Sequence, residues 1–401
     1  DLKGSNIMIT PSGSSALLEI TQSMIDPGDD VLIPSPGFVI YGPHTQLAGG
    51  SYTEYKLTEG DFQPDIDDIQ SKIKPNTRMI VVTTPSNPNA QPCVHKLMAY
   101  LGQLAGHGIL TGQHTKTRGM EELHHIEKVT GKRPALLGFE LLGYSPNINL
   151  DTADEACIKE VVENRGTLER AWEWAREGGI ITFTWHWFSP LGGRDKAFYT
   201  VNTAFDARQA LIDGTPENAA FLHDLDHMAE LLRPFCEAGV PILWRPFHEL
   251  DGGWFWWSKG GSENFVRLWQ MMYSRYTDYW GLDNLIWVLG YSGNGGNMAA
   301  WYPGDDYVDV IGADSYTPGA NGHLYEEVVS VAPEGMPIVF HECGTIPTQE
   351  QMQAEEAPWV MFMVWHTDYL TDSNNNTLDS LGQIYNSEYF ITLDELPSFT
   401  E

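Results

Sequence analysis

The sequence predicts an α/β protein, a (β/α)8 TIM barrel preceded by a small partial α/β segment. From residue 93 onward, eight short apolar runs alternate with amphipathic stretches, as eight βα units require. Polar and aromatic residues gather just after those runs, where a barrel carries its functional side chains. Tryptophan usage sets a boundary, since none of the 14 tryptophans occurs before Trp172. Residues 1–92 and 93–401 therefore read as two different texts.

In the first text helix and strand alternate in short steps. Apolar periodicity predicts helices over 14–25, 38–48 and 66–73 and strands over 30–34, 52–57 and 78–83, a fragment of a parallel α/β sheet. Asn87-Pro-Asn-Ala-Gln-Pro92 reads as the linker to the second text. There the predicted strands are 108–112, 135–139, 180–185, 240–244, 285–289, 308–312, 337–340 and 360–364. Between them, Leu222, Leu225, Met228, Leu231, Leu232 and Phe235 keep helical spacing, as do Phe265, Leu268, Trp269, Met272 and Tyr276. Such stripes are core faces rather than binding sites.

A formal charge of −31 repels nucleic acid and anionic membrane surfaces, whereas a neutral substrate feels no such penalty. Cys93, Cys157, Cys236 and Cys343 lack paired metal spacing and read as free thiols of the core. No apolar stretch approaches a membrane span, and the chain opens on Asp1-Leu-Lys-Gly4 rather than on a basic-then-apolar signal.

Two glutamates carry the functional reading. Glu249 ends Val240-Pro-Ile-Leu-Trp-Arg-Pro-Phe-His-Glu249, and Glu342 lies in Pro337-Ile-Val-Phe-His-Glu342-Cys-Gly344, after the fourth and seventh predicted barrel strands. A glutamate at a strand end is ordinarily only a solvated carboxylate. Two of them at one barrel mouth, among tryptophans, match what glycoside hydrolysis needs: one carboxyl protonates the leaving oxygen, the other attacks the anomeric carbon, and aromatic faces stack on sugar rings. Alternation along the fourth strand puts Arg245 on the face of Glu249, where its fixed charge would keep Glu342 ionised. Metal readings fail on spacing. Gly252 stands where a zinc-protease His-Glu-x-x-His motif needs its second histidine. The run from Asp372 imitates a calcium loop but has Thr377 for the turn glycine and Gln383 for the closing glutamate.

The local words resemble glycoside hydrolase family 26: Thr111-Gly-Gln-His-Thr115, Trp185-His-Trp187, Arg245-Pro-Phe-His-Glu-Leu-Asp-Gly-Gly-Trp-Phe-Trp-Trp257, Trp301-Tyr-Pro-Gly-Asp305, Asp309-Val-Ile-Gly-Ala-Asp-Ser-Tyr316 and His341-Glu-Cys-Gly344. The resemblance implies an endo-β-1,4-mannanase, with β-1,3-xylanase and mixed-linkage β-glucanase as minority activities. By the same resemblance Glu249 is the acid/base, Glu342 the nucleophile, His248 a contact near the cleaved sugar, and His186, Trp254, Tyr316 and Trp365 line that subsite. It implies no metal or organic cofactor, and a monomer acting outside the cell on mannan or a related polysaccharide. One departure is Leu250-Asp251, where Met-Asn is the more common pair.

The first text resembles fold-type I pyridoxal-phosphate aminotransferases through Asn6-Ile-Met-Ile-Thr-Pro-Ser-Gly-Ser-Ser-Ala16, Asp26-Pro-Gly-Asp-Asp-Val-Leu-Ile-Pro-Ser-Pro36 and Pro85-Ser-Asn-Pro88. That family's cofactor contacts would fall on Gly13 to Ser15, Phe38 and Asn87. Its Schiff-base lysine, pyridinium-pairing aspartate and substrate-binding arginine would come later, after the text has changed. Lys3, Lys56, Lys72 and Lys74 lie in no such context, so residues 1–92 are expected to be non-catalytic. Two competing classes are thus a transaminase, which the missing lysine opposes, and a non-cleaving carbohydrate-binding protein, which the paired carboxylates oppose.

Overall fold

The structure is a computed structural model that describes residues 13–35, 40–57, 64–82, 87, 89–293 and 296–400, with the side chains of Gly13 and Ser14 outside the description. The chain divides into two compact units, the first made chiefly of residues up to Pro85 and the second beginning at Ser86.

The first unit runs α1 (Gly13–Met24), β1 (Asp30–Ser35), α2 (Tyr41–Leu47), β2 (Ser51–Lys56), α3 (Ile66–Lys72) and β3 (Thr77–Ile80), close to the predicted order. Its strands form a parallel sheet in the order β2-β1-β3. Val31, Leu32 and Ile33 make β1 apolar on both faces, which suits the central position, and they are buried. Asp30, fully buried at the start of β1, is compensated by the hydroxyl of Thr53 at 2.9 Å and by Lys74 Nζ at 3.2 Å.

The second unit opens with α4 (Pro92–Leu104), β4 (Ile109–Leu110), β5 (Gly112–His114), α5 (Glu121–Thr130) and β6 (Leu136–Glu140). It continues through α6 (Glu155–Glu163), α7 (Thr167–Arg176), β7 (Ile180–Thr184), α8 (Pro216–Glu237), β8 (Ile242–Arg245), α9 (Ser262–Ser274) and β9 (Leu285–Tyr291). The last strands are β10 (Val310–Ser315), β11 (Ile338–Cys343), β12 (Phe362–Val364) and β13 (Phe390–Ile391), with α10 (Gly322–Val329) after β10. Strands β5 to β12 close into one barrel, so the eight predicted strands and their order are as expected. The first strand is displaced: residues 109–110 pair with β13 outside the barrel, and Gly112–His114 take the barrel position. Gly112 is needed there, since a Cβ would lie 2.3 Å from the carbonyl oxygen of Phe362.

The join also differs from the expected one at residue 92. Asn87 Nδ2 donates to Asp283 Oδ1 at 3.0 Å, the Gln91 amide donates to the Asp283 carbonyl at 2.9 Å, and Gln91 Nε2 donates to the Cys236 carbonyl at 3.0 Å. These residues belong to the barrel unit. Helix α4 then buries Cys93, Val94, Leu97, Leu101 and Leu104 in one cluster with the strand residues Leu243, Ile286 and Val339. On α8 the buried stripe is Phe221, Leu225, Met228, Leu232 and Phe235, while Leu222 and Leu231 flank it half-buried. Each large apolar side chain removed from water contributes roughly 1.5–3 kcal/mol, so these stripes hold the helices on the barrel. All four cysteines are buried and free. Among the described residues no helix is long and apolar enough to cross a membrane.

Candidate active site

Glu342 lies inside β11, whose pairing slips against β10 between Ala313 and Asp314 and against β12 between Phe340 and Cys343. Irregularities of this kind re-aim side chains, and here Asp314 comes opposite Glu342. Glu249, expected at a strand tip, instead sits four residues beyond the end of β8. Phe247 (φ 44) and Glu249 (φ 50) are both in the left-handed region, which disfavours bulky side chains. Surrounding contacts hold this turn. The Leu250 amide donates to the Gly290 carbonyl at 3.2 Å, Trp257 Nε1 donates to the His248 carbonyl at 3.0 Å, and Phe247 and Leu250 are buried. Asp251, part of the departure from the family pattern, accepts from the Ser292 amide at 2.7 Å and so ties the loops after β8 and β9 together.

One oxygen from each of Glu249, Asp314 and Glu342 lies within 4.8 Å of the other two. Glu342 is 3% exposed. Its Oε2 accepts from Arg245 Nη2 at 2.9 Å and its Oε1 accepts from the Tyr316 hydroxyl. Arg245 is fixed in turn, donating to Thr184 Oγ1 at 2.7 Å and lying 3.1 Å from His341 Nδ1. Burial and the Glu249 charge push Glu342 upward in pKa, while Arg245 and the Tyr316 hydrogen bond oppose them. Burial, followed by the charges of Glu249 and Glu342, drives the Asp314 carboxyl well above the usual range against the weaker opposing charge of Arg245. Glu249 Oε2 accepts from Trp254 Nε1 at 2.6 Å.

A second group lies beside the first. His186 Nδ1 is 2.6 Å from Glu140 Oε2, and His186 Nε2 is 3.1 Å from His248 Nε2. The Trp365 ring centroid is 5.9 Å from that of His186 and stacks at 4.1 Å on the fully buried His114. A cavity of about 730 Å³ opens from Glu249 and Trp254 past Asp314 and Tyr316 toward Asn321 and His323. Of the aromatic run, Phe255, Trp256 and Trp257 are buried core, and Trp254 is half-buried at the cavity.

The structure thus joins Arg245, Tyr316 and Glu342 in one cluster, Trp254 to Glu249, and His186 to His248, with Trp365 beside His186. Two carboxyls beside these residues carry no role in the sequence pattern. Asp314 stands in the polar word after the sixth barrel strand without an assigned role, and Glu140 looks like an ordinary strand-end residue because its partner lies 46 positions away. On the aminotransferase-like side, Phe38 and the side chains of Gly13 and Ser14 fall outside the described residues, and Asn87 is bound to Asp283.

A closed parallel barrel with paired carboxylates and indole rings at its C-terminal mouth has the build of a glycoside hydrolase. The model of glycosyl hydrolase family 26 matches residues 86–395, and the chain belongs to that family. A mannan endo-1,4-beta-mannosidase of Thermothelomyces thermophilus is 34% identical over 90% of this chain and 79% of its own length. Mannan endo-1,4-beta-mannosidase B of Piromyces sp is 31% identical over 83% of this chain, which spans only 55% of that protein. Among solved structures, the Podospora anserina GH26-CBM35 beta-(1,4)-mannanase is 34% identical with a TM-score of 0.70, over 80% of this chain and 70% of that one. A beta-mannanase from a symbiotic protist of the termite Reticulitermes speratus, complexed with gluco-manno-oligosaccharide, is 31% identical with a TM-score of 0.70, over 79% of this chain and 98% of that one. The model of aminotransferase class I and II matches residues 2–105. An alanine aminotransferase of Mycobacterium bovis is 38% identical over 96 residues, which is 23% of this chain and 22% of that protein.

Proposed function

We propose that the chain is an endo-acting β-1,4-mannanase that works by double displacement, with Glu342 as nucleophile and Glu249 as acid/base. The observation that carries this reading is the clamp on Glu342, one oxygen on Arg245 and the other on Tyr316, within 4.8 Å of a second carboxyl. Two hydrogen bonds to its charged form orient Glu342 for attack on the anomeric carbon and oppose burial, which leaves its pKa raised on balance. Glu249 accepts from an indole and lies beside Asp314, whose carboxyl burial drives well above the usual range. In the first step Glu342 forms a bond to the anomeric carbon, the glycosidic bond breaks, and protonated Glu249 gives its proton to the leaving oxygen. In the second, Glu249 takes a proton from water, whose oxygen displaces Glu342. Carboxylates this close leave no room for water between acid and base, which favours retention.

His186, His248, Trp254 and Trp365 are the proposed sugar contacts, and the similar mannanases favour mannan as substrate. The same reading has a monomer acting outside the cell on a neutral polysaccharide. Residues 1–92 are proposed to be an aminotransferase-like piece without transamination chemistry, Lys72 being paired with Asp68 at 2.7 Å and Lys74 with Asp30 at 3.2 Å. Asn87 is bound to Asp283, and Lys72 and Lys74 are each paired with an aspartate, which supports reading the unit as one without pyridoxal phosphate.

The test is incubation with mannan, mixed-linkage β-glucan and β-1,3-xylan, followed by sizing of the products. A spread of manno-oligosaccharides from mannan is expected. Cleavage of only one of the other polymers would reassign the substrate, and cleavage of none would favour a binding protein.

A further inference from the structure

Glu140 ends β6 with its side chain 3% exposed, and it meets three polar groups of two residues. The Leu142 and His186 amides each donate to Oε1 at 2.8 Å, and His186 Nδ1 lies 2.6 Å from Oε2. No arginine or lysine is among these partners, so His186 is what can neutralise this buried anion. On its other side, His186 Nε2 faces His248 Nε2 at 3.1 Å, and one of two facing ring nitrogens must carry the proton. His248 Nδ1 is buried without a protein partner.

We propose that Glu140 is a positioning residue for glycoside cleavage: it holds His186 as an imidazolium whose Nε2–H donates to His248, which fixes His248, next to the acid/base, as the neutral Nδ1–H tautomer. This inference rests on the hydrolase reading and deepens it. His248 then keeps its own proton on the buried Nδ1 and accepts at Nε2, so its ring has one fixed orientation beside Glu249. If His186 were neutral with its proton on Nδ1, His248 would have to donate from Nε2, and its Nδ1 would become a bare acceptor. The charges decide between the two. Burial lowers His186, but the charge and hydrogen bond of Glu140 outweigh it and hold the ring above its ordinary pKa; Glu160 of α6 and Glu342 of β11 act in the same direction. Glu160 is itself paired with Lys196. Burial, followed by the positive fields of His186 and Arg245 and then His341 and His114, holds His248 neutral. His114 and His366, which also feel His186, are pushed down by burial.

The experiment is a pH titration of the imidazole nitrogens by NMR in the full chain, beside E140Q and E140D, with kcat and KM on mannan from pH 5 to 8. Wild-type His186 should keep its second proton to a higher pH than an ordinary histidine of pKa about 6.5. E140Q should lose kcat/KM at pH 8 by about ten- to a hundredfold, the value of a hydrogen bond to a charged group, and regain much of it toward pH 5. E140D should keep the charge, the raised titration and most of the activity. A wild-type His186 that titrates at or below 6.5 overturns the proposal even if E140Q fails to fold, as does an E140Q that loses thermal stability with an unchanged pH profile. Failure of the wild type to cleave mannan would instead sink the functional reading, since the titration needs no substrate.

Discussion

Glu342 and Glu249 differ in their donors, and the roles proposed for them rest on that difference. A guanidinium and a phenol hold Glu342, whereas one indole holds Glu249. E342A should therefore abolish hydrolysis of every substrate, and near-normal turnover on mannan would refute the assignment. E249A should still form the glycosyl-enzyme from an activated aryl mannoside, whose leaving group needs no proton. A burst of aryl alcohol followed by slow turnover is the expected trace, and loss of the burst would contradict it. Tyr316→Phe removes one of the two donors to the nucleophile. Its kcat should fall about ten- to a hundredfold with KM little changed, the scale of a hydrogen bond to a charged group. A change in KM alone would mean that Tyr316 only binds sugar.

At the scale of elements, strand periodicity and helical stripes carried the barrel into view, but not how its loops hold their side chains. Seven of the eight barrel strands are continuous apolar runs that the sequence displays openly, whereas the first, Gly112–His114, has no such signature. The left-handed turn at Phe247 and Glu249 depends on contacts with Gly290 and Trp257 that no local pattern records. Asp224 is another such case: on a helix its charge suggests solvent, yet it is 1% exposed and accepts from Trp187 Nε1 at 2.7 Å and Asn147 Nδ2 at 3.0 Å. Burial pushes its carboxyl up to about 6. Because the folded state holds this proton more tightly than the unfolded chain, the stability it contributes is present below about pH 4 and lost as pH rises through 6. The stability of wild type relative to Asp224→Asn should thus decline between pH 4 and pH 7, by up to about 3 kcal/mol. Denaturant unfolding at several pH values measures it, and a constant difference would show that Asp224 does not titrate in this window.

For the whole molecule, the tryptophan boundary revealed two texts, but the join lies earlier than composition suggests because Asn87 and Gln91 bond to the barrel. A chain beginning at Ser86 should hydrolyse mannan as the full chain does, and neither should acquire a cofactor absorbance band with pyridoxal phosphate. A chain beginning at Pro92 loses, among others, the three hydrogen bonds that Asn87 and Gln91 donate to Asp283 and Cys236, and should be less stable by at least about 3 kcal/mol. Loss of activity in a folded chain that begins at Ser86, or a cofactor band in the full chain, would give the first unit a role denied to it here. The central claim is that Glu342 and Glu249 cleave by double displacement, and the stereochemistry of the first product tests it most directly. Proton NMR during hydrolysis of a β-linked manno-oligosaccharide should show the β anomer forming first and the α anomer appearing only by mutarotation. An α anomer formed first would contradict the mechanism.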